Sequence, residues 1–413
     1  MVDKAILLIY PIRGGEKYIL SALNKGYYVF CLHSKNFGDS YISSEAKEIL
    51  KSNPNCEALY IDDKAEVLDH IKSSKKQVIA VIPCTEPSIH LADQLSKELG
   101  LLGNDPLTSD LRRNKLTMRE ALIDAGLLSM SVKKCHSLVD ALQFQSGKQK
   151  IVLKTPEGAG QEQVYICSSE SEIKFAFDSI VSNLNLFGKP TSYALAEDYL
   201  EGDEIAVNVI VSDHTFKIID IWEYTKGNNG VCNNILYNMK TVFFDETLTR
   251  DIEAYCKRVC SVLGHKVGIA HLELKLNNGR CQLIELGARL PGTKIPHLWE
   301  RYSERCIVSD IVDVYLGSEI SPEYEFTSNL AIVYHPDLKD AVLIESIDGI
   351  NNLIDTPSYV EHEQSIQIGD LVRPISTLNS SAFVTSLANK SLHQLCEDIC
   401  LVHNSVQINP GQL

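Results

Sequence analysis

The sequence predicts an α/β protein of more than one domain, and three observations lead to this fold class. First, 413 residues are enough for two or three domains with hydrophobic cores of their own. Second, apolar strand-like runs alternate with helix-like segments over roughly the first 105 residues, which favours a parallel sheet flanked by helices. Third, the chain then changes to short strands, a strand-rich stretch and a hairpin, which adds α+β elements.

The N-terminal region is predicted to be a small α/β domain at residues 1–110. Its Gly14-Gly15 pair is favoured as a turn. The dinucleotide fingerprint would need three spaced glycines and a downstream acid, which this region does not have. The predicted strands cover residues 5–10, 28–32 and 77–83, and the predicted helices cover residues 14–23 and 86–99.

The middle of the chain combines helices with short strands. Asp245 is a plausible N-cap for a long helix, and Gly264 marks the end of that helix. The polar segment 226–234 is predicted to be a mobile loop. The predicted helices cover residues 110–126, 169–184 and 245–263, and the strand-rich stretch covers 207–221.

Composition limits the classes of partner. The net charge of −15 argues against a nucleic acid or an anionic membrane surface. The chain has no apolar run that approaches the length of a membrane span, and its first apolar stretch is predicted to be a strand rather than a signal peptide. Twelve scattered cysteines without a CxxC pair favour a reduced, cytoplasmic protein.

The stretch HLELKLNNGRCQLIELGARLPG at residues 271–292 is the segment richest in chemistry. It places Glu273 and Glu285 on two short strands, with Arg289 close behind. Side chains alternate faces along a strand, so the leucines of HLELKL mark the buried face and Glu273 lies on the other. Glu285 falls among apolar positions, where a carboxylate is costly unless it is paired or bound to a metal.

The turn between these strands decides whether the two acids can cooperate. A two-residue turn at 278–279 would put them on opposite faces. A three-residue loop at 277–279 would put Glu273 opposite Leu283 and Glu285 on the same face one pair away, roughly 7–8 Å distant. We predict the three-residue loop, which lets the acids bracket magnesium and phosphate oxygens. The alternative is an amphipathic hairpin with one satisfied core glutamate.

Upstream segments offer further groups for phosphate and nucleotide. Lys154 ends an apolar strand and can reach a phosphate. Gly158 and Gly160 allow the backbone segment that follows to offer its N–H groups to the phosphate. Strand 194–204 ends in an acidic turn whose Glu204 could accept from ribose hydroxyls. Lys115 follows two arginines. For each of these segments the ordinary alternative stays open: a glycine-containing turn, a solvated acidic turn and a solvated lysine.

In this order the motifs resemble the ATP-grasp superfamily of carboxylate–amine ligases, over roughly residues 75–313. The resemblance implies that Glu273 and Glu285 bind magnesium, and that Arg289 is the catalytic arginine that contacts the transferring phosphate. It also implies a nucleotide-binding set, namely Lys115, Lys154, Gly158, Gly160, Glu197, Asp198, Leu200 and Glu204. Within this set, the resemblance implies that Glu197, Asp198 and Leu200 belong to an adenine-binding hinge and that Glu204 contacts the ribose. One departure is Gly287, where many members have an asparagine as a further metal ligand.

The resemblance implies a fold and an activity. The fold has a Rossmann-like N-terminal domain (1–110), an ATP-grasp domain (111–313) with a mobile lid at about 127–196, and a mixed C-terminal subdomain (314–413). The wording ELGARLPG is similar to the L-amino acid ligases of the bacilysin and rhizocticin type. These use ATP and Mg²⁺, with Mn²⁺ as a second candidate ion, to join two amino acids through an acyl phosphate.

Several alternatives remain at this point. The chain could be a ligase for another carboxylate, of the purine-precursor or carboxylase type. It could also be a nucleotide-binding regulator without turnover, or a phosphotransferase that acts on an alcohol. The expected partners are amino acid substrates, without nucleic acid or membrane. Members of the fold often form homodimers, which leaves a homodimer open here.

Overall fold

The computed structural model describes residues 3–12, 14–35, 42–128, 130–158, 160, 162–184, 190–213, 215–228, 234–292, 294–319, 323–336, 338–375, 377 and 380–411. These residues form four β-sheets with helices packed around them. Within those ranges, every helix is too short or too polar to span a lipid bilayer. The mixture of sheets and helices is the α/β class with α+β elements that the sequence predicts.

The N-terminal sheet is parallel throughout, as predicted, with strand order β3-β2-β1-β4. The edge strand β3 was not predicted, because only two of its five residues are buried and it lacks a continuous apolar run. The strands are β1 (Lys4–Ile9), β2 (Tyr28–His33), β3 (Cys56–Tyr60) and β4 (Gln77–Pro83). The helices are α1 (Glu16–Asn24), α2 (Ser44–Ser52), α3 (Lys64–Ser74) and α4 (Ile89–Glu98).

The helix predicted at residues 110–126 begins later than expected. Residues Pro106–Arg112 form a 3₁₀ helix, and α5 then covers Lys115–Asp124. Asn114 separates the two because its side chain accepts hydrogen bonds from the backbone N–H groups of Leu116 and Thr117, which caps a new helix. Lys115 therefore stands at the first position of α5.

A small antiparallel sheet with strand order β5-β8-β6-β7 forms the region predicted as a lid. Two helices cover one face of it and enclose its hydrophobic core. The other face is open toward the rest of the molecule, where Lys154 ends β6. The strands are β5 (Val132–Cys135), β6 (Ile151–Lys154), β7 (Val164–Cys167) and β8 (Ala194–Asp198). The helices are α6 (Leu138–Gln145) and α7 (Glu170–Ser182).

An eight-stranded antiparallel sheet forms the centre of the molecule, with order β13-β12-β9-β10-β11-β14-β18-β16. One face packs against the N-terminal domain together with α9 and α10, and the other face packs against α5 and α8. Its strands are β9 (Asp203–Val211), β10 (Phe216–Gly227), β11 (Ile235–Thr241), β12 (Gly268–Asn277), β13 (Arg280–Gly287), β14 (Asn329–His335), β16 (Tyr359–Gln364) and β18 (Phe383–Asn389). The helices are α8 (Glu246–Val262), α9 (Ile295–Tyr302) and α10 (Ile307–Tyr315).

The C-terminal part completes this sheet and adds a smaller one with order β17-β15-β19. Because the large sheet contains strands from both sides of residue 313, the chain crosses that predicted boundary within one layer. The three domain ranges given above stay predictions. The remaining elements are β15 (Val342–Asp348), β17 (Leu371–Val372), β19 (Gln407–Pro410), α11 (Ile350–Ile354) and α12 (Leu392–Ser405).

Candidate active site

The turn of the glutamate hairpin is a tight one, so the predicted three-residue loop is wrong. Asn277 pairs directly with Arg280, which leaves only Asn278 and Gly279 in the turn. Both turn residues have positive φ, 49° and 76°. Asparagine and glycine at these two positions are the preferred residues of a type I′ turn, whose twist matches that of the flanking strands.

A β-bulge further along the hairpin nevertheless brings the two acids together. Leu274 pairs with Leu283, but the next pair is Glu273 with Glu285, so Ile284 is an extra residue in β13. The inserted residue reverses the effect of the tight turn on side-chain direction. Glu273 and Glu285 therefore lie directly opposite each other on one face, in a closer arrangement than the predicted diagonal.

A buried chain of polar groups leads away from Glu273. His271 lies 3.7 Å from the Glu273 carboxylate through Nε2, and its Nδ1 is 2.8 Å from the Asn208 side-chain oxygen. Asn208 donates to Asp220 (2.6 Å), which also accepts from the indole N–H of Trp299 (2.6 Å). Burial raises the pKa of the Asp220 carboxyl, which these donors only partly offset. The network fixes the orientation of the side chains beneath Glu273.

Glu273 itself is held in its charged form. Burial alone would raise the pKa of its carboxyl, but the interaction with His271 and the charges of Lys226 and Arg289 outweigh burial and lower the pKa to about 2. Lys226 was predicted to open a mobile loop. The structure places it instead near the end of β10, and residues 229–233 of that loop lie outside the described residues.

Lys115 contacts both Glu285 and the segment that contains Gly158. Its Nζ lies 2.9 Å from the Glu285 carboxylate and donates to the carbonyl of Gly158 (3.3 Å), while its backbone N–H donates to the carbonyl of Pro156 (3.0 Å). Gly160 has a left-handed backbone with φ of 64°. Ala159 and Gln161, the other members of the predicted phosphate loop, lie outside the described residues.

Lys154 forms a buried ion pair that the sequence did not indicate. Its Nζ lies 2.6 Å from one oxygen of Glu197, and Nε of Arg119 lies 3.1 Å from the other. Burial and the positive charges of Arg119 and Lys115 outweigh the attraction of Glu197 and lower the pKa of Lys154 to about 8. The two cations beside one carboxylate leave an excess of positive charge, which suits an anionic ligand.

The lowered pKa gives a testable pH dependence for nucleotide binding. If Lys154 binds a phosphate, as the resemblance implies, it does so in its protonated form, and the affinity for metal-free ATP should fall as the pH rises through about 8. The dissociation constant, measured calorimetrically, is expected to rise by up to about tenfold for each further pH unit. Lys154→Arg keeps the charge at every pH and should flatten the profile. A wild-type affinity that stays constant up to pH 10 would contradict this assignment.

The predicted adenine and ribose residues line a cleft beside Lys154. Asp198 and Leu200 contribute to its wall together with Glu204, and the cavity between the lid sheet and the large sheet has a volume of about 90 Å³. The Asp198 carboxylate accepts from the backbone N–H of Ser131 (2.6 Å) and pairs with Lys148 (2.6 Å), so the hinge is anchored away from the cleft.

The Glu204 carboxylate lies between two lysines. Lys226 forms a hydrogen-bonded ion pair with one of its oxygens, and Nζ of Lys275 lies 3.4 Å from the other. Burial would lower the pKa of Lys226, but the carboxylates of Glu204 and Glu273 outweigh this effect and raise it. The ribose contact of Glu204 stays a prediction, and Lys226 is a cation of the cleft that the sequence did not single out.

Arg289 is held by a residue from the N-terminal domain. Its Nε lies 3.1 Å from one oxygen of Glu86, while Arg113 donates to the other oxygen (2.9 Å). Arg289 also donates to the carbonyl of Leu290 (2.8 Å). Glu86 is only 6% exposed and lies almost 200 residues from the hairpin in sequence, so no local signal could have identified it.

Glu86 also explains the glycine at position 287. A Cβ atom at Gly287 would lie 2.8 Å from the Glu86 carboxylate oxygen and 3.4 Å from the guanidinium carbon of Arg289. The carboxylate thus occupies the space that a side chain at position 287 would need. An asparagine at this position, which the resemblance would lead one to expect, would therefore meet the buried Glu86 carboxylate.

The acid pair fits a magnesium ion with phosphate ligands. The described residues contain no cluster of three or more histidine, cysteine, aspartate or glutamate side chains that could hold a metal ion without other ligands. Mg²⁺ commonly takes one or two protein carboxylates and completes its shell with water and phosphate oxygens. Two facing carboxylates match this requirement, and a third protein ligand at position 287 is not needed.

Sequence comparison identifies the central part of the chain. Residues 148–297 match the family model of the ATP-grasp domain. The chain is 27% identical over 346 residues to dapdiamide A synthase from Enterobacter agglomerans, and the alignment covers 80% of this chain and 79% of that protein.

Solved structures establish the fold. The L-amino acid ligase from Bacillus licheniformis has a TM-score of 0.77 at 17% identity, with 100% of both chains covered. N5-carboxyaminoimidazole synthetase from Staphylococcus aureus, solved in complex with ADP, has a TM-score of 0.70 at 14% identity, with 97% of both chains covered. The predicted ATP-grasp fold is therefore confirmed.

Proposed function

Because this chain has the ATP-grasp fold and its residues 148–297 are an ATP-grasp domain, we propose that it is an ATP-dependent ligase that forms an amide from two L-amino acids. One observation carries the proposal. Glu273 and Glu285 are paired directly across the hairpin, with Lys115 2.9 Å from Glu285 and with the charge of Arg289 lowering the pKa of Glu273. Lys154 lines the neighbouring cleft, and all these cations belong to a protein whose net charge is −15. Such a local excess of cations around an acid pair suits a magnesium-bound polyphosphate.

Each group of the cleft has a role in this reaction. Lys154 and Lys115 bind the phosphates, the segment with Gly158 and Gly160 covers them, and the hinge at Asp198–Leu200 accepts the adenine. Glu273 and Glu285 would hold Mg²⁺, which neutralises charge on the transferring phosphoryl group. Glu204 accepts from the ribose. The nucleotide is thereby oriented with its terminal phosphate near Arg289.

The chemical step is an exchange of bonds in two stages. An oxygen of the substrate carboxylate attacks the γ-phosphorus, the bond to the β-phosphate oxygen breaks, and ADP leaves. The amine of the second amino acid then attacks the carbonyl carbon of the acyl phosphate, loses a proton, and phosphate departs. Negative charge builds on phosphoryl and carbonyl oxygens in turn, and the fixed guanidinium of Arg289 stabilises both.

The names of the relatives support amide formation over the other ligase reactions. One is a synthase of dapdiamide A and another is a ligase of L-amino acids, and both are covered over most or all of their length. A ligase for another carboxylate is the second candidate, because N5-carboxyaminoimidazole synthetase shares the fold over 97% of its chain. Amide formation is preferred because the relative found by sequence, which is 27% identical over 80% of this chain, is by its name a synthase of dapdiamide A.

The deciding assay supplies ATP and Mg²⁺ with the twenty amino acids, singly and in pairs. Amide formation predicts ADP and phosphate release that depends on a second amino acid, together with a product mass equal to the two substrates minus one water. Phosphate release that needs no amine acceptor, or a phosphorylated product, would contradict the proposal. The Glu285→Gln variant serves as the background control.

A further inference from the structure

Two backbone groups at the bulge of β13 are bonded by side chains instead of by the neighbouring strand. The N–H of Leu283 donates to the hydroxyl of Tyr255 (2.8 Å), and the carbonyl of Ile284 accepts from Nη2 of Arg119. Tyr255 in turn donates to the carbonyl of Leu127 (3.2 Å). Because β13 is the edge strand of the large sheet, its outward backbone groups have no strand partner. At the bulge, the side chains that bond these groups help to fix where the extra residue sits.

The position of the extra residue decides the geometry of the acids. With the tight turn at Asn278-Gly279, an unbulged β13 would place Ile284 opposite Glu273 and turn Glu285 to the other face. The bulge therefore has to form between Leu283 and Glu285. The bonds from Tyr255 and Arg119 fall on that interval, directly before Glu285.

Arg119 has a second contact on the nucleotide side. Its Nε lies 3.1 Å from Glu197, whose other oxygen lies 2.6 Å from Lys154. Arg119 is 1% exposed, and both it and Ile284 line the cleft. Because the guanidinium is a rigid planar fork, its contacts on Glu197 and on the Ile284 carbonyl are fixed relative to each other.

We propose that Arg119 is a positioning residue that couples the phosphate-binding lysine to the metal carboxylates. Through the Ile284 carbonyl it fixes the bulge that turns Glu285 toward Glu273. Through Glu197 it fixes the position of the Lys154 ammonium group. The inference rests on the proposed function, which assigns the metal to Glu273 and Glu285. Tyr255 supports the same bulge but has no contact with Glu197, so the two residues can be separated experimentally.

The test uses Arg119→Lys and Tyr255→Phe with two binding measurements. Mn²⁺ bound in the presence of ADP is followed by electron paramagnetic resonance, and metal-free ATP binding is followed by calorimetry in EDTA. Tyr255→Phe should weaken Mn²⁺ binding by about tenfold or more, as outer-shell changes do, and leave metal-free ATP binding unchanged. Arg119→Lys should weaken both, because one ammonium cannot bond Glu197 and the Ile284 carbonyl together.

Controls separate coupling from a loss of stability. Arg250→Lys changes an exposed arginine that pairs with Glu246 on α8, and it should alter neither constant. Arg119→Lys with weaker ATP binding but normal Mn²⁺ binding would overturn the coupling. The coupling would also be overturned if both variants only lower the melting temperature.

Normal Mn²⁺ binding in Tyr255→Phe would overturn the role of the bulge. A wild type that binds Mn²⁺ with ADP but yields no amide would reject the proposed reaction and leave the coupling supported.

Discussion

Replacement of Glu285 by glutamine is expected to abolish turnover while the protein stays folded. The substitution keeps the shape of the side chain and removes its charge from the pair that it forms with Glu273 across the hairpin. The ammonium of Lys115, 2.9 Å away, would lose its carboxylate partner. If Glu285 binds Mg²⁺ as proposed, its loss removes several kcal/mol of charge stabilisation from the transition state, so kcat should fall on the order of 10³-fold.

The fold should tolerate this change. The Glu285 side chain is 29% exposed, and the backbone of β13 keeps its pairs with β12. A matched control is Glu223→Gln, which alters another half-exposed glutamate of the same large sheet that pairs with a lysine, Lys240, away from the acid pair. ADP release and thermal unfolding should be measured for both variants. Full activity in Glu285→Gln would remove this residue from the metal site.

The hairpin also shows which part of the site can be predicted from local sequence. The apolar alternation in HLELKL correctly identified the buried face, because Leu272 and Leu274 are fully buried. The prediction of the turn was wrong because two arrangements give the same result. A three-residue loop, or a tight turn followed by a bulge, places Glu285 on the same face as Glu273. The bulge depends on Arg119 and Tyr255, which lie on other helices, so the pattern of the hairpin alone does not distinguish the two.

Contacts between distant segments account for most of what the sequence did not indicate. The parallel N-terminal sheet could be predicted since its central strands are continuous apolar runs that are buried on both faces. Glu86 could not, because it meets Arg289 only after the N-terminal domain packs on the large sheet. Arg119 is an intermediate case. It lies one helical turn after Lys115, and that spacing predicts a shared face of α5.

Replacement of Gly287 by asparagine, the residue that the ATP-grasp resemblance would place there, is expected to lower stability and activity instead of improving the proposed metal site. The new Cβ would lie 2.8 Å from the Glu86 carboxylate. Glu86 cannot move away cheaply, since it is buried and bonded to both Arg113 and Arg289. We expect a loss of about 1–3 kcal/mol in the free energy of unfolding. Displacement of Arg289 should lower kcat/KM by about 10²-fold.

Two further variants identify the cause. Gly287→Ala adds the same Cβ without an amide, so it should reproduce most of the loss if crowding of Glu86 is responsible. Combining Gly287→Asn with Glu86→Ala removes the crowded carboxylate, and the two changes should then cost less together than the sum of their separate effects. Denaturant unfolding and steady-state kinetics of the wild type, Gly287→Asn, Glu86→Ala and the double variant measure this coupling. Additive costs would mean that the two positions do not compete for space, and the glycine would then need another explanation than the acid that faces it.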